Sequence, residues 1–425
     1  MVLEGVLRRA LILMALLAVQ CGDDDEVAEP QPAIETSEPV ERADPVEAEV
    51  APPDGPLIGL DTHVDTTQRM LDDGDDPFDT LEGGHLDVAR MREGGLTGAF
   101  FSIYVSPRRF DESEAWERAL ALTRRVREVV AAHPDEARLC RSADDVRDAA
   151  REGKIAVLMG VEGAHALGTD DPETVLARVE QLYELGNRYL TLTWSIDSPL
   201  GHSSSGAHPE RGLTPLGRRV VSRMNELGMI VDISHVSDRT FWDVMEHTRL
   251  PVIASHSSAR ALADHPRNMT DAMIRRVGQN GGAVCVNYYT QYIDADYRGR
   301  RRAIEFRRKR EFEPLEEQYK SWVDRGAAAF ALAQRLDPDL RPPGMETLVA
   351  HFAHIVEIAG PTAACLGSDF DGVPELPLGM TDAGDLGVLR EALAERGLPV
   401  RAIWGENVLR VLDAHSHRSS HVSAP

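Results

Sequence analysis

The sequence predicts a (β/α)8 barrel with an inserted helical segment, a doubly wound open sheet being the alternative. Three observations lead there. About eight short apolar runs alternate with segments of helical periodicity. The stretch Met229 to His256, MIVDISHVSDRTFWDVMEHTRLPVIASH, reads as a complete β-α-β unit with a histidine after each strand. Metal-binding residue types follow several of the other runs, and a barrel gathers all its strand ends on one rim.

The strand-like runs are Leu57–Asp61, Gly98–Ile103, Ile155–Val161, Tyr189–Thr193, Ile230–Ile233, Val252–Ala254, Ala283–Asn287 and Ala363–Leu366. Their near-continuous apolar character suits parallel strands buried on both faces. Between them, Glu114–Ala132, Pro172–Leu185 and Pro215–Leu227 carry apolar residues at helical spacing. The interval from Tyr288 to Leu348 is too long for a simple crossover. It contains RGRRRAIEFRRKREFEPLEEQYKSW, read as an inserted helical hairpin with a solvated charged face. A lid or dimer contact is the sharper alternative for that segment.

The chain ends differ from this body. Residues 1–21 read as an export signal, with Arg8 and Arg9, an apolar run from Ala10 to Val19, and then Cys21. The run is too short for a stable bilayer span. Cys21, followed by Gly22 and an acidic cluster, resembles the lipidation site of a bacterial lipoprotein, although Gln20 stands where a small residue is usual. The expectation is an exported protein, lipid-anchored at Cys21 in the periplasm or at the cell surface. Residues 22–56, rich in Asp, Glu, Pro and Ala, bury too little apolar surface to offset their ordering entropy and read as a disordered tether. The folded domain is expected over 57–415, with a disordered tail over 416–425.

Composition narrows the function. The 425 residues are 42% hydrophobic and 27% charged, ordinary values for a globular chain. A net charge of −24 argues against nucleic acid, which needs a basic footprint. Cys21, Cys140, Cys285 and Cys365 are too few and scattered for a disulfide scaffold and form no CxxC pair. Cys285 and Cys365 lie in apolar runs and read as small core residues.

The polar residues at the strand ends carry the chemistry. LDTHVD offers His63 and Asp65, two apart and so on one side of an extended segment. GVEGAH offers Glu162, the β-α-β unit offers His235 and His256, and GSDFDG offers Asp369 and Asp371. Taken singly, each has a bland reading as a loop histidine, a helix cap or an arginine partner. Together, three histidines with carboxylates and no thiolates form the donor set of zinc or a similar divalent ion. The carboxylate in excess of a mononuclear site points to Glu162 bridging two metals. Two such ions bring the pKa of a bound water to roughly 7 and polarise a carbonyl. Asp369 then suits proton transfer to a leaving amine. Arg267, in HPRNMTD, suits a bidentate grip on a carboxylate.

From Leu57 to about Ala414 the chain resembles the membrane dipeptidase (renal dipeptidase) family of zinc peptidases. The resemblance rests on LDTHVD, HLDVARMREGGLTGAFFSIYV, VEGAHAL, RYLTLTW, GMIVDISHVS, PVIASHSSARAL, HPRNMTD, GGAVCVNYY, HFAHIVEIAG, GSDFDGV and GENVLRVL. It implies a (β/α)8 barrel with two zinc ions that hydrolyses dipeptides, often with a D-residue at the C-terminal position, and a homodimer. It implies that His63 and Asp65 bind one zinc, His235 and His256 the other, and that Glu162 bridges them. Asp369 becomes the acid/base carboxylate and Arg267 the substrate-carboxylate ligand, while Tyr289 and Gly372 line the substrate pocket. One position departs: where the family carries a substrate-contacting histidine after LTLT, this chain has Trp194. Indole offers one N–H and no cationic form, so oxyanion stabilisation there is weaker. His202 is a nearby substitute, with an exposed loop histidine as its plainer reading. His85 reads as structural.

Two other functions compete. One is a different metal-dependent hydrolase on this barrel, acting on a lactone, an N-acyl amino acid or a β-lactam; Arg267 speaks against it, having little purpose on a neutral ester. The other is a non-catalytic binding protein, which Trp194 alone favours.

Overall fold

Parallel apolar strands, each too short to bury both faces alone, close on themselves here. The computed structural model describes residues 55–319 and 321–416. The expected signal segment and Cys21 anchor lie outside these residues, as do nearly all of the tether and tail. The barrel strands are β1 (Leu60–Val64), β2 (Gly98–Tyr104), β4 (Ile155–Glu162), β5 (Asn187–Thr191), β6 (Ile230–Asp232), β7 (Ile253–Ala254), β8 (Ala283–Val286) and β9 (Ala364–Leu366). Neighbours pair in parallel around the ring, β1 pairing with β9 and β2 with β4, so the circle is complete. The barrel alternative is therefore the correct one.

One strand was not expected. β3 (Ala137–Leu139) pairs with the start of β4, while β5 takes the end of β4. It lies outside the ring, a three-residue run with no periodicity to announce it. The first strand also begins three residues later than Leu57, which puts His63 inside β1 rather than after it.

Helix boundaries follow ordinary capping chemistry. The helix Glu112–Ala132 starts two residues earlier than expected because Asp111 and Glu114 form a reciprocal capping box. In the central β-α-β unit, Gly228 at φ 79° ends the helix Pro215–Leu227 in a left-handed conformation. Ser237 then caps the helix Asp238–His247 through the Thr240 N–H.

Leu60, Phe100, Leu158, Tyr189, Ile230, Ile253, Cys285 and Cys365 form one buried cluster. Each comes from a different barrel strand, so the cluster fills the interior, and Val408, Leu409 and Leu412 of the last helix join it. The reading of Cys285 and Cys365 as core residues without a bond is corrected. They are register partners on β8 and β9 and form a disulfide, with Cα atoms 4.1 Å apart. Eighty residues separate them in sequence, and the parallel pairing of β8 with β9 makes them neighbours.

The insertion is also corrected, from a hairpin to three helices, Ala295–Arg307, Lys309–Gln318 and Trp322–Leu336. Tyr297, Ile304, Ala333 and Leu340 give it a small core of its own. Its charge run is not wholly solvated. Arg301 is buried and pairs with buried Glu375 at 2.6 Å, and Tyr297 donates to the same carboxylate at 3.0 Å. Among the described residues no helix is long and apolar enough to cross a membrane.

Candidate metal centre

The residues expected from strand ends meet at one point. His63 on β1, Glu162 at the end of β4 and His256 just after β7 offer ligand atoms within 4.8 Å of one another. His63, Asp65 and Asp369 form a second such group. His235, two residues beyond Ile233, brings its Nε2 to 3.0 Å from Glu162 Oε1 and 2.9 Å from His256 Nε2. Glu162 is central: Oε1 also lies 3.5 Å from His256 Nε2, and Oε2 lies 3.7 Å from His63 Nε2.

The neighbours of each imidazole decide which nitrogen faces the centre. Tyr189 OH donates to Thr62 O at 3.2 Å, so its oxygen accepts from His63 Nδ1 at 2.8 Å and leaves Nε2 facing the centre. Ser255 Oγ donates to Asp232 at 2.7 Å, so it accepts from His256 Nδ1 at 2.8 Å. Oriented imidazoles of this kind are what a metal site requires. Asn287 holds Asp369 from Nδ2 at 2.8 Å.

Backbone strain gathers at the same rim. His235, Asp369 and Asp371 have φ of 68°, 64° and 63°, the only positive values among described residues other than glycine. Left-handed conformations cost such residues about 1–3 kcal/mol each and persist where surrounding contacts impose them.

The electrostatics call for positive charge. Burial alone pushes His63 down, yet the nearby carboxylates of Glu162, Asp65 and Asp369 lift it to about 10. Burial and then Glu162 raise Asp65 well above the usual carboxylate range, and burial raises Asp369. Burial and then Arg267 lower His235 to about 3, and burial and then His63 lower His256. His63 Nε2 and Asp65 Oδ1 are buried without a hydrogen-bond partner. Three carboxylates, two neutral imidazoles and orphaned donor atoms fit divalent cations of the zinc type.

The outer residues fall around this centre. Arg267 is buried, donating to His256 O at 3.0 Å, and its Nε has no partner. Trp194 lies 6.3 Å from the His235 ring and 5.0 Å from Tyr104. A Cβ at Gly372 would fall 2.1 Å from Asp65 Oδ2 and 2.3 Å from Asp369 Oδ1. Tyr289 is held through its N–H by Asn287 Oδ1 at 2.7 Å.

Other expected residues stay away from the centre. Asp371 accepts from Thr66 Oγ1 at 2.6 Å and the His85 N–H at 2.5 Å, locking the loop. His85 Nδ1 accepts from the Asp371 N–H at 3.0 Å, as a structural residue should. His202 Nδ1 faces Asp197 at 3.3 Å and its ring meets His208 edge-on at 5.9 Å, both loop contacts. Sequence reasoning missed Tyr189, Ser255, Asn287 and Asp232, which orient the ligands from behind.

A model of the membrane dipeptidase family (peptidase family M19) matches residues 56–424. The chain belongs to this family. Its members are metal-dependent hydrolases of dipeptides, and so is this enzyme. An uncharacterized dipeptidase of Schizosaccharomyces pombe is 33% identical over 355 residues, covering 79% of this chain and 73% of the relative. Among solved structures, a metallopeptidase named dipeptidase AC is similar at TM-score 0.68 and 26% identity, covering 84% of this chain and 98% of that one. A metallopeptidase of Rhodobacter sphaeroides, bound to a phosphinate mimic of L-Ala-D-Ala, also has TM-score 0.68 and 26% identity, with 84% and 99% covered.

Proposed function

We propose that this dipeptidase is a two-zinc enzyme in which His63 and Asp65 hold one ion, His235 and His256 hold the other, and Glu162 bridges them. The observation that carries the reading is the Glu162 carboxylate, one oxygen toward His63 and the other toward His235 and His256. When bound, such a pair supplies hydroxide at neutral pH and polarises the scissile carbonyl. Asp369, held by Asn287, carries the proton to the leaving amine. Arg267 grips the substrate's free carboxylate, and its unpartnered Nε supports that role. Trp194, Tyr289 and Gly372 line the substrate space, the missing Cβ of Gly372 leaving room beside Asp65 and Asp369. The dipeptide mimic bound by the Rhodobacter sphaeroides relative supports L,D-dipeptides as substrates.

The test is amine release from L,L- and L,D-dipeptides after chelation and again after zinc is restored. Zinc-dependent cleavage that needs a free C-terminal carboxylate is expected; a zinc-loaded chain that cleaves none of them sinks the reading. We also propose export with a lipid anchor at Cys21, supported by the sequence pattern, and a homodimer, supported by the family resemblance. Partition into detergent that survives Cys21→Ser would refute the anchor, and a monomer in sedimentation equilibrium would refute the dimer.

A further inference from the structure

The inserted helices reach the rim through the loop that follows β9. Trp322 donates its indole N–H to Gly372 O at 3.1 Å. Gly326 packs so tightly on Pro374 that a Cβ would fall 2.4 Å from the ring. Buried Arg301 holds Glu375. This is the loop whose start is Asp369. The insertion therefore grips one of the site's own carboxylate-bearing segments.

Trp322 is fixed yet open. Its N–H is spent on the backbone, its ring meets Tyr289 edge-on at 6.2 Å, and it is still 48% exposed. Tyr289 in turn meets Tyr292 edge-on at 4.9 Å, and the Arg267 guanidinium lies 5.6 Å over Tyr292. An aromatic row thus runs from Arg267 to Trp322. With its single donor engaged, the indole offers a ligand carbon surface alone.

We propose that Trp322, with Tyr289, receives the side chain of the substrate's C-terminal residue, so that the enzyme favours dipeptides ending in a large apolar residue. This rests on the reading that Arg267 holds the C-terminal carboxylate. Carboxylate and side chain leave the same Cα, so a carboxylate at Arg267 leaves the neighbouring side chain free to turn along the aromatic row. The insertion then sets specificity as well as bracing the loop.

The experiment compares kcat/KM for L-Ala-Leu, as the stereoisomer the wild type cleaves, with that for L-Ala-Gly. Wild type should prefer the leucine substrate. Trp322→Ala should lower that preference by on the order of tenfold, mainly through KM, and Trp322→Phe should restore most of it. A loss equal for both substrates would show that Trp322 merely props the loop and would overturn the proposal, as would an unchanged ratio. The C-terminal amide of the leucine substrate separates the two readings. Its cleavage as fast as the free acid overturns the Arg267 assignment and the placement of the side chain at Trp322 with it. Dependence on the carboxylate with an unchanged ratio overturns the role of Trp322 alone.

Discussion

Glu162→Gln removes one charge and almost no volume from the centre of the site. The carboxylate stands 3.0, 3.5 and 3.7 Å from the Nε2 atoms of His235, His256 and His63, all of them buried. The amide keeps one acceptor oxygen and turns its other end into a donor, aimed at an imidazole or at an ion. Removing one partner from a buried ionic cluster costs about 3–5 kcal/mol. At about 1.4 kcal/mol per decade, that is roughly 10²- to 10³·⁵-fold in affinity for the ions. The metal-free chain should also lose stability, because His63, lifted to about 10 in this site, loses its central counter-charge. We expect the variant to retain about one ion or fewer per chain and to lose about 10³ in kcat/KM. Elemental analysis after gel filtration reads the first, initial rates with added zinc read the second, and circular dichroism confirms the fold. Two tightly held ions with a rate within tenfold of wild type would refute the bridging role.

The remaining predictions concern substrate and stability. Arg267→Met should raise KM for dipeptides with a free C-terminal carboxylate by about 10²-fold, the loss expected for a charge-assisted bidentate contact, and an equal loss on C-terminally amidated substrates would remove the clamp. His351 bridges the barrel and the inserted region, accepting from the Ala259 N–H at 3.0 Å and donating to Ile293 O at 3.0 Å. It must therefore stay neutral, and burial lowers it from 6.5 to about 4. The unfolded chain binds the proton more readily between those values, so stability is full above pH 6.5 and falls as pH drops toward 4. The loss is about 3 kcal/mol. His351→Gln, which keeps an acceptor and a donor, should flatten this slope in urea melts at pH 7.5 and 5; an identical slope would place the titration elsewhere.

Most of the fold was legible because barrel strands are buried on both faces and announce themselves as apolar runs. The candidate site was legible for a related reason: Glu162, His235 and Asp369 are polar residues where an apolar strand stops, His63 stands one residue short of the end of β1, and barrel topology converts these positions into proximity. What failed to show were relations between strands. Tyr189 reads as one more apolar strand residue until β5 brings its hydroxyl to His63, 126 residues away. Ser255 and Asp232 look like turn residues, yet they fix the tautomer of His256. The bond between Cys285 and Cys365 needs the pairing and register of β8 and β9, which no local pattern announces. β3 is too short for any period to register. In the insertion, a single buried Arg301 inside a run of exposed arginines has no local signature, since its partner Glu375 comes from the far side of the segment.

The central claim is that two ions, joined by Glu162, make the dipeptidase active. Titrating the chelated chain with zinc while following cleavage of a dipeptide tests it most directly. The account predicts negligible cleavage without metal and a plateau at two equivalents per chain. A plateau at one equivalent, or cleavage that survives chelation, would contradict it.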